Sequence, residues 1–224
     1  MTNPNLELVN LFPLTVHSQW SLAMRLAQLR TQEPPPATRF YCSAEVLIEE
    51  LIREGGTGAT HNAVENTLNA SAEYRKWQYS MPFLKDVPWI RAYRAEGDRM
   101  VPADLVAVNQ EVLSKGGYLQ EGQILYSGGN FNTERIEIAT GPLSTSMHPS
   151  VARWHAINSS GQIAILKIAA SCSVLGFVYK VTGNQQFKIE YEVLLQNGLL
   201  LNQSSACSSN GLEVRSYDVT LNDA

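Results

Sequence analysis

The chain is 224 residues long, 44% hydrophobic and 17% charged, which is enough to bury a sizeable core and excludes a globally disordered polypeptide. Seventeen basic against 21 acidic side chains leave a formal charge of −4, so there is no whole-chain basic field for nucleic acid. No apolar run reaches the ~20 residues a bilayer span needs, and Met1-Thr2-Asn3-Pro4-Asn5 lacks the basic start and apolar core of an export signal. The expectation is a protein that is cytoplasmic or delivered by a specialised secretion system, with no membrane and no nucleic acid as partner.

Leu14, Leu22, Leu26 and Leu29 suit an amphipathic helix over residues 14–29, which the Pro34-Pro35-Pro36 run must stop. Ser43 is placed to cap a helix running to Arg53, with Gly55-Gly56 ending it. Gly55-Gly56-Thr57-Gly58 lacks the lysine of a phosphate-binding loop and reads as a plain loop. A third helix is predicted from His61 or Asn62 to about Trp77, then a proline-containing connector over 81–89. Another helix is predicted from Pro102 to Ser114, closed by Lys115-Gly116-Gly117.

The period then changes from helical to alternating. Strands are predicted at residues 123–126, 163–168, 177–181, 189–195 and 212–221, with turns at Asn184, Asn197-Gly198 and Asn210-Gly211. The polar, serine-rich stretch 202–210 reads as a long connection. Runs of helix followed by runs of strand predict an α+β fold, with a helical lobe over 1–115 and a β-rich core over 116–224 packed as one compact unit. Cys42, Cys172 and Cys207 are widely spaced, form no CxxC pair and read as reduced thiols. The segment from Tyr74-Arg75-Lys76-Trp77 to Arg94 mixes basic and aromatic residues and is expected to pack the helical lobe on the sheet.

Three short segments carry residues suited to chemistry. In Lys188-Ile189-Glu190-Tyr191-Glu192-Val193-Leu194-Leu195, strand alternation sets Glu190 and Glu192 on one face, roughly 6–7 Å apart, with Tyr191 and Val193 opposite. Such a pair serves acid–base or electrostatic work, and it equally suits the wet face of a half-buried strand. In Ser144-Thr145-Ser146-Met147-His148-Pro149, three hydroxyls lead to a proline at a helix start, an arrangement that orients a polar ligand or simply caps the helix. His148 and His155 are read as capping or packing residues. In Leu125-Tyr126-Ser127-Gly128-Gly129, the double glycine allows a backbone to approach closely.

In order and spacing these segments resemble the core of the mono-ADP-ribosyltransferases of the Arg–Ser–Glu class, found among bacterial toxins and effectors. The resemblance covers about residues 122–221. It implies a split β-sheet of ADP-ribosyltransferase type that uses NAD as substrate and no metal. Transfer would be to a protein acceptor, with Glu190, where other members have glutamine, implying arginine. Glu192 is then the carboxylate beside the breaking nicotinamide–ribose bond, Glu190 orients or deprotonates the acceptor, and Ser144 braces Glu192 or contacts the nicotinamide-side ribose. Ser127, Gly128, Tyr126, Thr145 and Ser146 line the NAD side. Partners implied are a target protein in a host or competitor cell and an immunity or delivery protein.

One position departs from the family pattern. Ser127 stands where the family has arginine, and a hydroxyl supplies neither the charge nor the planar fork of donors of a guanidinium. Either Arg135 or Arg153 reaches in, with the Gly128-Gly129 amides assisting, or the chain is an inactive interaction module on the same fold. NAD hydrolysis without transfer uses the same residues.

Overall fold

The computed structural model describes residues 3–17, 38–131, 136–159, 161–170, 174–180 and 191–222. Six α-helices and twelve strands lie in these segments, and the order of elements is α+β, as the sequence predicts.

The N-terminal region begins with strands. β1 (Asn5–Leu6) and β2 (Leu14–Val16) precede β3 (Arg39–Tyr41), and β2 pairs antiparallel with β3. This corrects the helix predicted from Leu14. Leu14 and Val16 are buried and Thr15 between them is exposed, a period of two that the more distant leucines obscure. The rest of that predicted helix, with the proline run, lies outside the described residues.

Helix α1 (Ala44–Arg53) starts at Ser43, whose hydroxyl accepts from the Val46 amide, and stops before Gly55 and Gly56, both at φ 79°. The long helix predicted from His61 is two helices, α2 (Ala59–Ala70) and α3 (Ala72–Ser80). Ser71 breaks them apart: it takes an extended conformation, ψ 123°, and its hydroxyl caps α3 at the Tyr74 amide.

Helix α4 (Pro88–Glu96) falls within and beyond the predicted connector, with proline at its first position. It lacks a capping side chain of its own. Glu111 of helix α5 (Pro102–Lys115) accepts from its first free amides, Trp89 N at 3.0 Å and Ile90 N at 2.9 Å. The Tyr93 hydroxyl donates to the Pro142 carbonyl at 3.2 Å and pins the far end of α4 beside the sheet.

The remaining elements are β4 (Gly117–Leu119), β5 (Ile124–Gly129), β6 (Ile136–Ile138), β7 (Leu143–Ser146), helix α6 (Pro149–Ile157), β8 (Gln162–Ile168), β9 (Leu175–Val178), β10 (Glu192–Leu195), β11 (Leu199–Ser209) and β12 (Leu212–Leu221). They form a ten-stranded sheet in the order β1-β4-β9-β10-β7-β5-β8-β12-β11-β6. β1 and β4 pair parallel, so the N-terminal region and the β core share this sheet. The stretch predicted as a polar connection is strand β11, paired with β12 along its length and with β6 at its start. Residues 204–208 are exposed on both faces, so it is backbone pairing with β12, not a buried face, that makes this stretch a strand.

The sheet is split in its middle. β5 pairs with β8 through six residues, but with β7 through one register pair, Tyr126 opposite Ser146. β10 lies on the far side of β7, with Glu192 opposite Ser146 and Leu194 opposite Ser144. A buried cluster runs from Leu6 and Leu47 through Tyr126 and Phe177 to Leu194 and Val219. None of the helices in the described residues is long and apolar enough to cross a membrane.

Candidate functional site

The Ser144 and Glu192 side chains meet across the β7–β10 ladder. Ser144 and Ser146 share one face of β7, so Glu192, opposite Ser146, reaches Ser144 along the diagonal. The Ser144 hydroxyl donates to Glu192 Oε1 at 3.0 Å. The other carboxylate oxygen, Oε2, lies 3.5 Å from Arg94 Nε, and both side chains of this pair are largely buried, at 12% and 14% exposure. The Arg94 guanidinium carbon stands 4.5 Å from the centre of the Tyr179 ring, and Tyr179 donates its backbone N–H to the Glu192 carbonyl at 3.3 Å. A carboxylate is thus fixed by a hydroxyl on one oxygen and a cation on the other, with an aromatic ring holding the cation in place.

Arg94 is the residue that sequence reasoning missed. It sits in the last turn of α4, a helix hidden in a proline-containing segment. The available signal was Pro88 at a helix start followed by Trp89-Ile90-Arg91-Ala92-Tyr93-Arg94, which places Ile90 and Arg94 one turn apart. In the same aromatic stretch Tyr74, Trp77 and Ile90 are buried as expected, while Tyr79 and Trp89 are exposed.

The neighbouring hydroxyls serve the frame. Thr145 Oγ1 donates to the Val193 carbonyl at 2.6 Å, and Ser146 Oγ accepts from the His148 amide at 2.9 Å. Ser127 is 7% exposed and donates its hydroxyl to the Ser144 carbonyl at 2.8 Å, tying β5 to β7 where their ladder is thinnest. The Tyr126 ring is fully buried, its hydroxyl has no hydrogen-bond partner among the described residues, and burial pushes its pKa up.

The close approach that Gly128 allows is taken by helix α6. A Cβ there would stand 1.9 Å from the Ala152 carbonyl oxygen and 2.6 Å from the Ala156 nitrogen. Ala152 and Ala156 of α6 are buried, and Trp154 points to solvent. Arg153 is turned toward the helical lobe, where its guanidinium lies against Gly56. Glu190 and Arg135 lie outside the described residues, as do Cys172 and Asn184.

Strand β10 is described from Glu192, and residues 189–190 of the predicted strand lie outside the described residues. Tyr191 takes φ 45° and ends the regular alternation there. Its ring stacks 5.7 Å from Tyr74 and 5.7 Å from His148. His148 caps α6 by accepting from the Ser150 amide through Nδ1, at 3.2 Å, so its Nε2 carries the hydrogen and faces the His61 carbonyl at 3.3 Å. Burial, and then His61 with its ring 4.5 Å away, pulls the His148 pKa down to about 3.

No family model matches this chain, and no curated protein matches it in sequence. Solved structures similar to it include the Vis toxin, an ADP-ribosyltransferase from Vibrio splendidus, at 11% identity and TM-score 0.40 over 81% of this chain and 88% of that one. Exoenzyme S from Pseudomonas aeruginosa, solved with human 14-3-3 protein beta and bound to carba-NAD, is similar at 15% identity and TM-score 0.39, over 78% and 87%. The ADP-ribosylating toxin BECa of C. perfringens, solved with NADH, is similar at 11% identity and TM-score 0.44, over 65% and 45%.

Proposed function

We propose that this protein is an NAD-dependent mono-ADP-ribosyltransferase acting on a protein acceptor, in the manner of a bacterial toxin or effector. The observation that carries the reading is the Ser144–Glu192 hydrogen bond across β7 and β10, which joins the hydroxyl triplet to the second carboxylate of the Glu-x-Glu segment.

The chemistry asks for such a carboxylate. Breaking the nicotinamide–ribose bond sends its electron pair to the nicotinamide nitrogen and leaves positive charge on the ribose. A carboxylate already fixed beside that carbon stabilises the transition state more than the ground state and needs no reorganisation. Glu192 takes this role, and Ser144 holds its aim. The acceptor nucleophile then bonds to the anomeric carbon and gives up a proton, for which Glu190 is the base, and an arginine side chain is the acceptor that a glutamate there suits. Arg94 answers the lack of an arginine at position 127. It supplies the cation from the helical lobe, and an anionic phosphate of NAD draws it away from Glu192 when substrate binds.

The test is nicotinamide release from NAD, with and without protein acceptor. The chain as it stands is expected to turn over. Glu192→Ala is expected to lower the rate by about a hundred- to a thousandfold, the range for removing one preorganised transition-state group. A second reading, a non-catalytic interaction module, draws on Ser127, whose hydroxyl is already engaged with the Ser144 carbonyl. An inert wild-type chain that gains activity as Ser127→Arg would favour it. Release that is equal with and without acceptor would favour NAD hydrolysis.

A further inference from the structure

We propose that Tyr191 is a positioning residue through which the helical lobe sets the direction of Glu192, an inference that rests on Glu192 being the reacting carboxylate. Among the described residues two non-glycine positions have positive φ, Asn210 and Tyr191. Asn210 sits in the tight β11–β12 turn, where asparagine adopts this geometry readily. A tyrosine does not, and a bulky residue keeps a left-handed backbone only where its surroundings hold it there.

The surroundings of Tyr191 do so from several sides. Its hydroxyl donates to Asn69 Oδ1 in α2 at 3.0 Å. Its ring, 4% exposed, lies between Tyr74 of α3 and His148 at the start of α6. Its carbonyl accepts from the Met147 amide at 3.0 Å, directly after the hydroxyl triplet. Burial, followed by the nearby Glu65 carboxylate, pushes its pKa up to about 12, so the phenol stays a donor. Were φ at 191 to relax to an extended value, the chain following it would swing, and the first side chain displaced would be Glu192. The Ser144 bond, made along a diagonal of the ladder at 3.0 Å, lengthens and weakens as the carboxylate moves. Asn69 and Tyr74 thus act on the carboxylate through Tyr191.

The experiment compares Tyr191→Phe, Asn69→Ala, their double variant and the conservative Asn69→Asp, which keeps an acceptor oxygen for the phenol. Nicotinamide release is expected to lose about tenfold in kcat in Tyr191→Phe and in Asn69→Ala, with KM for NAD within about twofold. The double variant is expected to be no worse than either alone, because both break one bond, and Asn69→Asp is expected to retain wild-type kcat. A second readout needs no turnover: the carboxyl carbon resonance of Glu192, assigned by its loss in Glu192→Gln. In Tyr191→Phe it is expected to move in the direction it takes in Ser144→Ala. A Glu192 resonance unmoved by Tyr191→Phe and Asn69→Ala, or an unchanged kcat in both, overturns the proposal. A wild-type chain that releases no nicotinamide overturns the reading of Glu192 as reacting carboxylate, and the resonance then decides the role of Tyr191 alone.

Discussion

Strands β5 and β7 are neighbours at the split of the sheet and use their small polar residues in opposite ways. On β7, Ser144 reaches across to Glu192, while Thr145 and Ser146 lock the adjoining backbone. On β5, Tyr126 is buried, Ser127 holds the β7 backbone, and Gly128 lies under a helix. One strand presents a hydroxyl to Glu192 and the other holds the backbone around it. Position 127 on β5 holds no arginine, and the cation that lies beside Glu192 is Arg94 of α4. Glu192 and Ser144 thus meet on the sheet while the neighbouring cation comes from a separate element, held in place by Glu111 and the Pro142 carbonyl.

The largest effect that tests this division is expected at Gly128. In Gly128→Ala the new methyl meets helix backbone at 1.9 Å and 2.6 Å, and neither β5 nor α6 can move by a side-chain rotation. Overpacking of this kind is expected to cost about 3 kcal/mol, seen as a fall in Tm of roughly 6–12 °C for a chain of this size. Gly129 is the internal comparison, because a Cβ there meets the Phe131 ring at an ordinary 3.8 Å. Gly129→Ala is expected to shift Tm by less than about 3 °C. Equal shifts at the two positions, in thermal melts followed by circular dichroism, would contradict the close packing of α6 on Gly128.

A smaller effect is expected on the other side of the comparison. Arg94→Ala removes the cation beside Glu192, and loss of one charge-assisted contact to a phosphate is worth roughly 1.5–3 kcal/mol, or about ten- to a hundredfold. The change is expected in KM for NAD, with Tm little altered, and Arg94→Lys is expected to recover only part because an ammonium cannot reproduce the planar fork stacked on Tyr179. Ser127→Ala, by contrast, is expected to leave KM within about threefold, since its hydroxyl is engaged with the Ser144 carbonyl. If the two variants change KM alike, the cation does not come from α4.

The sequence carried the architecture where local signals were strong. Ser43 before an apolar-periodic run, Pro102 at a helix start and the alternation over 212–221 each appear as elements with nearly the expected bounds. It carried less where a short signal was outweighed by a neighbouring one. Leu14–Val16 was absorbed into a leucine period, Ser71 reads as a helix interior residue unless its capping hydroxyl is weighed, and β11 is too polar to announce a strand without its partner β12. At the site, a contact of Ser144 with Glu192 is among the expectations that the family resemblance implies, whereas Arg94 is not. Its contact with Glu192 depends on where α4 is held, a tertiary placement set by Glu111 and the Pro142 carbonyl.

The least of the effects, and the one that separates frame from chemistry most cleanly, concerns His148. Its folded pKa, about 3, lies below the ordinary value near 6.5, so between these limits the unfolded chain binds a proton that the folded chain refuses. Stability is therefore full above about pH 6.5 and declines as pH falls, by at most about 1.4 kcal/mol per pH unit, or about 2 kcal/mol between pH 6.5 and 5. His148→Asn keeps an acceptor for the Ser150 amide, since asparagine is a good helix cap, and removes the titration. Urea midpoints of the wild type are expected to fall between pH 6.5 and 5, and those of His148→Asn are expected to fall by clearly less. Because the imidazole is neutral in the folded protein throughout this window, the pH dependence of kcat is expected to be the same in both proteins. A kcat profile that shifts in His148→Asn would mean that the ring stacked on Tyr191 takes part in the reaction and is not simply part of the frame.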